Sequence, residues 1–144
     1  MIKSEYMKRY EQFPHTADIG VRVYGKDLKE LFANAAFAMF DIVADLEGLK
    51  TSVTKDFELK AANYEELLVA WLDELLYTFY TKWIIFSDFQ IEELDEHHVK
   101  AKAIGRSVGE NKNRLKTEIK AATYHDLNIK KTADGYEVEI IFDI

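Results

Sequence analysis

The sequence contains no cysteine. Disulfide staples, thiolate nucleophiles, zinc-thiolate sites and iron-sulfur clusters are thereby excluded, and any metal must sit on oxygen or imidazole ligands. Proline is nearly absent too, one residue in 144. No stretch rich in proline, glycine or serine marks a linker, which supports one continuous unit over residues 1–144. Basic residues are the minority: 19 Lys and Arg against 26 Asp and Glu leave a formal charge of -7, the wrong sign for a protein that binds by neutralising phosphates. Strong direct nucleic-acid binding is therefore not expected, and a protein partner fits this charge better. Long apolar runs are missing as well. Met1 to Arg9 is mixed and charged, unlike a signal peptide or membrane anchor, so the expectation is a cytoplasmic protein with no membrane partner. The sequence reads as well from Met7 as from Met1. There is also no phosphate-binding glycine loop, no nucleophile elbow and no His-Glu-x-x-His helix, so a hydrolase or nucleotide-using enzyme has little support.

What the chain does have is a globular composition, 48% apolar and 13% aromatic, long enough to bury about two-thirds of its unfolded surface. Leu28, Leu31, Phe32, Ala35, Ala36, Met39, Phe40 and Val43 repeat at three and four residues, which predicts an amphipathic helix within Asp27 to Ala44. Asp27 with Glu30 supplies its N-cap and capping box. A second helix is expected from about Tyr64 to Thr81 on Leu67, Leu68, Trp71, Leu72, Leu75, Leu76 and Phe79, opened by Asn63 with Glu66.

Alternation marks the strands. Val53, Lys55, Phe57, Leu59 and Ala61 share one parity, as do Val21 with Val23 and Val99, Ala101 with Ala103. A first strand is expected near Met7 to Phe13, a second at Gly20 to Tyr24. Asn128 to Lys131 and Tyr136 to Phe142 flank Asp134-Gly135 and read as a closing hairpin. Gly105 to Lys116 reads as a long exposed loop. The expected class is α+β, a mostly antiparallel sheet with two amphipathic helices.

Three segments concentrate chemistry. Pro14 to Gly20, read as the loop between the first two strands, holds His15, Thr16 and Asp18. It is either a local turn whose side chains satisfy backbone donors or a site where Asp18 is an oxygen ligand and His15 orients it or ligates beside it. At the end, Asp143 precedes Ile144. The two carboxylates there are either solvated at a frayed terminus or joined by a cation. If Asp18 and Asp143 converge, two aspartates and a terminal carboxylate make a hard-oxygen set suited to calcium, magnesium or manganese. The third segment, Thr117 to Leu127, reads as a strand placing Lys120, Ala122 and Tyr124 on one face. Lys120 is then either a stem covering the sheet or a cation beside the carboxylates, with Tyr124 in the core on the first reading. His97-His98 reads as a solvated hairpin turn and Asp73-Glu74 as a solvated helix face.

Taken together, His15-Thr16-Ala17-Asp18-Ile19-Gly20, Glu118-Ile119-Lys120-Ala121-Ala122-Thr123-Tyr124-His125 and the final Asp143-Ile144 resemble the archease family in order and spacing, over essentially the whole chain. The resemblance implies a strand-helix-strand-strand core with an inserted smaller element, and a divalent, calcium-like metal held by Asp18, Asp143 and the Ile144 carboxylate. It implies that Lys120 occupies the family's functional lysine position, with His15, Tyr124 and His125 as further partner-activating residues and no catalytic residue of the chain's own. The implied function is activation of an RtcB-type RNA ligase in tRNA splicing, by promoting its guanylylation and multiple turnover. The alternatives are a chaperone of a tRNA cytosine methyltransferase and a metal-dependent phosphoesterase built on Asp18 and Asp143.

Overall fold

The computed structural model describes residues 8–144. The choice of start between Met1 and Met7, and the Met7 end of the expected first strand, lie outside the described residues.

Both helices form where cap and periodicity agree. In α1, Leu28–Val43, the Asp27 carboxylate accepts from Glu30 N–H at 2.8 Å, and Glu30 Oε1 accepts from Lys26 N–H at 2.7 Å. In α2, Tyr64–Lys82, the Asn63 side chain accepts from Glu66 N–H at 2.9 Å. Trp83 then takes the left-handed conformation, φ 59, and its N–H donates to Phe79 O at 2.8 Å, closing the helix. The helices are tied to each other by Trp71, fully buried, whose indole N–H donates to Phe32 O at 3.1 Å.

Two antiparallel sheets receive these helices. The first orders β1 (Tyr10–His15), β2 (Asp18–Gly25), β8 (Gly135–Asp143) and β6 (Ala121–Ala122), with β7 (Lys130–Thr132) beside the start of β8. The second orders β3 (Val53–Lys60), β5 (His98–Ser107) and β4 (Ile84–Asp95). The chain leaves the first sheet after α1, builds β3, α2, β4 and β5, and returns to finish with β6, β7 and β8. Helix α1 packs against β2 of one sheet and β4 of the other, so buried residues of both sheets and both helices form one cluster. Among the described residues, no helix is long and apolar enough to cross a membrane.

Several expectations change. The Pro14 to Gly20 loop shrinks to a two-residue turn, Thr16-Ala17, with Ala17 at φ 60; His15 ends β1 and Asp18 begins β2. Gly105 to Lys116 is not a loop. Gly105 lies inside β5, where a Cβ would run into Ile85 O. Val108 is buried, a 3-10 helix spans Gly109–Arg114, and Arg114 donates to Asp45 O at 3.0 Å and Glu47 O at 2.7 Å. The Thr117 to Leu127 strand contracts to Ala121–Ala122. The closing hairpin holds, with Thr132 paired to Gly135. His97 occupies the β4–β5 turn, whereas His98 begins β5 and its Nε2 meets Glu58 Oε2 at 2.6 Å.

Candidate metal centre

Register decides what faces what on the first sheet. Val21, Val23, Val138, Ile140 and Phe142 point into the core, so their alternates on β2 and β8 point outward. Directly opposed residues of antiparallel strands share a face. On β1 and β2, His15 opposes Asp18; on β2 and β8, Ile19 opposes Phe142; on β6 and β8, Ala121 opposes Asp143. The β2–β8 register, continued one rung beyond Ile19 and Phe142, sets Asp18 against Asp143 on the outer face. His15, Asp18, Asp143 and Ala121 therefore form one row across four strands, and Ile144 follows Asp143 at its edge.

The next rung is covered by an aromatic ring. Gly20, opposite Phe13, has no Cβ, and the Phe13 ring lies over it. Farther along, Arg22 donates to Glu11 at 2.9 Å and to Glu139. The Tyr24 hydroxyl, Lys8 and Arg22 together hold the Glu11 carboxyl down at about 2. Those carboxylates are neutralised by their neighbours. Among the described residues, neither Asp18 nor Asp143 pairs with a Lys or Arg.

Asp18 has one ionisable neighbour, His15, whose Nδ1 stands 3.6 Å from Asp18 Oδ2. That Nδ1 is sealed from solvent and lacks a hydrogen-bond partner among the described residues. The His15 ring packs edge-on against His125, centroids 5.7 Å apart and planes at 69°. Thus His15 touches both Asp18 and His125, and the register runs on from Asp18 toward Asp143.

Lys120 and Tyr124 are placed differently from expectation. The Lys120 N–H donates to Asp143 O at 2.7 Å, so its backbone is anchored beside the acidic row. Its side chain is exposed, Tyr124 is 58% exposed, and Ala122 between them is buried. The three share no face and Tyr124 is not a core residue, because only Ala121 and Ala122 follow the ladder.

What holds this segment is a set of side chains that sequence reasoning passed over. Asp73, expected on a solvated helix face, is half-buried and accepts from Ala122 N–H at 2.8 Å. Burial pushes its carboxyl up, and the Ala122 N–H partly opposes that rise. The Tyr80 hydroxyl donates to Ile119 O at 2.7 Å, and the Thr123 hydroxyl to Ile141 O at 3.0 Å. The one signal for Asp73 in the sequence is a carboxylate set between Trp71-Leu72 and Leu75-Leu76.

The donors fit a divalent cation in kind. Asp18 and Asp143, neither paired with a Lys or Arg among the described residues, and the carboxylate of Ile144, where the chain ends there, offer hard oxygens, and adjacent like charges favour a cation that joins them. His15 Nδ1 is an orphaned buried atom at the same place. Among the described residues no three His, Asp or Glu side chains are grouped closely enough to hold a metal by themselves. A cleft of about 380 Å³ lined by Glu11, Tyr24, Asp134 and Tyr136 lies at the far end of the strands and includes none of these residues.

Comparison with known proteins identifies the family and the fold. The Archease protein family (MTH1598/TM1083) matches residues 10–144. The protein archease of Methanosarcina barkeri is 41% identical over 141 residues, 95% of this chain and 97% of the relative. That of Pyrococcus furiosus is 37% identical over 142 residues, 96% of this chain and 100% of the relative. The solution structure of Methanobacterium thermoautotrophicum protein 1598 superposes with a TM-score of 0.82 at 35% identity, over 96% of this chain and 100% of that one. The crystal structure of an archease described as a possible chaperone, from Thermotoga maritima, shares the fold with a TM-score of 0.62 at 21% identity, over 96% of this chain and 98% of that one. The chain belongs to the archease family.

Proposed function

We propose that this protein is a metal-binding activator of an RtcB-type RNA ligase, promoting the ligase's guanylylation and multiple turnover in tRNA splicing. The observation that supports it most is the Ile19–Phe142 pair that closes the β2–β8 ladder, beyond which Asp18 and Asp143 come next in register, with the Lys120 backbone bonded to the same Asp143. Asp18, Asp143 and the Ile144 carboxylate would hold the ion, which supplies fixed positive charge at a surface that is otherwise acidic. Around it, the chain's own residues position and present. The β1–β2 turn fixes Asp18 beside His15, while Asp73, Tyr80 and Thr123 pin the backbone on either side of Lys120. The exposed Lys120 ammonium is thereby offered to a carboxylate or phosphate of the partner as a point charge. With a net charge of -7, the protein meets the ligase rather than the RNA.

A chaperone for a tRNA cytosine methyltransferase is the second reading. Tyr77, Tyr80 and Trp83 near the end of α2 are 64%, 41% and 38% exposed, an aromatic surface of the kind that meets other proteins. Ligase-GMP formation with and without the protein separates the two. Stimulation at substoichiometric or equimolar amounts is expected. No stimulation, with suppression of methyltransferase aggregation, selects the chaperone; hydrolysis of a phosphoester by this protein alone selects an enzyme.

A further inference from the structure

Trp83 stands where a helix end commonly takes glycine or asparagine. It follows α2 in the left-handed region, φ 59, a conformation that a bulky L side chain adopts at a cost in backbone strain. Its ring lies on Phe79, centroids 5.3 Å apart and planes at 31°, and remains 38% exposed. Beside it is a groove of about 330 Å³ floored by Val43, Phe79, Trp83 and Leu115, with Thr117 and Glu118 along its lip. The lip is held at both ends: the Lys116 N–H donates to Val43 O at 2.8 Å, and the Tyr80 hydroxyl donates to Ile119 O at 2.7 Å. Among the described residues, the main chain of Thr117 and Glu118 takes part in no backbone–backbone hydrogen bond. An apolar floor is thereby joined to a pinned edge with N–H and C=O groups to offer.

Charge around the groove runs against the rest of the chain. From Arg106 to Lys120 there are five Lys or Arg against two Glu, in a protein of net charge -7, and Lys82 closes α2 next to Trp83. Among the described residues, none of these cations pairs with a carboxylate. Arg106 and Arg114 donate to backbone carbonyls, which leaves their charge uncompensated. An occupant that matches is apolar at its centre and acidic on its flanks. A polyanion is repelled by the field of the whole chain, whereas a protein segment brings few charges and its own main-chain groups to meet Thr117 and Glu118.

We propose that this groove is the docking site for an acidic segment of a partner protein, with a leucine or phenylalanine side chain seated between Trp83 and Leu115. Trp83 is kept against its backbone preference because its ring forms one wall of that seat. The site needs no metal, and none of its residues belongs to the acidic row. Glu118 is two residues from Lys120, at most about 7 Å along the chain, so a segment seated here lies beside that lysine.

The full chain has two indole N–H groups, Trp71 in the core and Trp83 at the groove, which 15N-resolved NMR reads separately. The probes are two capped peptides, Glu-Asp-Leu-Glu-Asp and Glu-Asp-Phe-Glu-Asp. At least one should shift the Trp83 indole and the Thr117 and Glu118 amides saturably and leave Trp71 in place. The same peptides with Lys for every acid should bind more weakly, and added salt should weaken the acidic ones. Lys116→Glu should weaken binding of the acidic peptides. Trp83→Gly, which suits a left-handed backbone, should weaken it by about tenfold or more. Lys116→Glu alters only an exposed side chain and decides the matter even if Trp83→Gly fails to fold. No saturable shift with either peptide overturns the proposal, as does equal binding of the lysine peptides or unchanged binding in Lys116→Glu. Two other occupants overturn it as well. An oligouridylate that shifts the Trp83 indole more strongly than either peptide marks a nucleic-acid platform. A concentration-dependent dimer in sedimentation that Trp83→Gly abolishes marks a second copy of this chain.

Discussion

Ile19 and Phe142 are the last pair of the β2–β8 ladder, and the same register continued by one rung sets Asp18 against Asp143, 125 positions away in the sequence, on the outer face of the first sheet. Opposed like charges on a sheet are destabilising, by about 0.2 to 1 kcal/mol. A bound cation reverses that sign. Asp18→Asn and Asp143→Asn should each leave the metal-free protein as stable as wild type or slightly more so, and abolish stabilisation by added metal. Wild type at 100 times Kd should gain about 2.7 kcal/mol from the ion. Thermal midpoints with chelator and with saturating metal measure both effects. A metal-dependent rise in midpoint that persists in either variant removes that aspartate from the site.

The Ile144 carboxylate is tested by chain extension. A tag fused after Ile144 turns its carboxylate into an amide and should weaken metal binding and ligase stimulation, with the fold intact because Phe142 and Ile141 are already buried in the ladder. A tag before Tyr10 should change neither. Titration calorimetry on the two tagged forms makes the comparison, and equal affinities would take the terminus out of the ligand set.

How far the site could be read from sequence follows from which residues obey a period. The helices were legible because Asp27 and Asn63 cap where the apolar stripe begins, so propensity, cap and burial agree. Asp18 and Asp143 stood out as carboxylates at the ends of apolar alternation, but their adjacency is a matter of register between distant strands, which no local pattern encodes. Strand β4 escaped because register shifts between Phe86 and Asp88 and between Ile91 and Glu93 break its parity. Gly105 misled: glycine suggests a loop, whereas here it admits the Ile85 carbonyl against the strand. Lys120 misled for a related reason. The segment preceding β6 is held by the Tyr80 hydroxyl and by Asp143 O rather than by a ladder, so two-residue alternation fails there.

Lys120→Ala should separate activity from stability. The side chain is exposed, and a surface cation contributes about 0 to 1 kcal/mol. The backbone bond to Asp143 O is retained in the variant. Ligase-GMP yield should fall strongly while the thermal midpoint stays within a few degrees of wild type. An unchanged yield would take Lys120 out of the function, and a collapsed midpoint would make it structural.

Asp73 ties the same segment to α2, and its ionisation should be visible in the pH dependence of stability. Burial raises its folded-state pKa above the ordinary aspartate value of 3.8, with the Ala122 N–H as the smaller opposing influence. A carboxyl raised in the fold binds more protons there than in the unfolded chain. Its contribution is therefore most favourable below 3.8, declines as pH climbs through the folded value, and remains a fixed penalty above it. Asp73→Asn keeps an oxygen to accept from Ala122 N–H and carries no charge, so at neutral pH it should match or exceed wild type and flatten the acid limb. Asp73→Ala leaves that N–H, part-buried, without its acceptor and should cost about 1 to 3 kcal/mol. The loss would fall on the segment that holds Lys120 beside Asp143, so ligase stimulation should drop with it. Denaturant titrations from pH 3 to 8 on the three proteins provide the measurement. An Asn variant less stable than wild type at neutral pH would mean that the Asp73 charge itself is favourable, reversing the sign argued from burial.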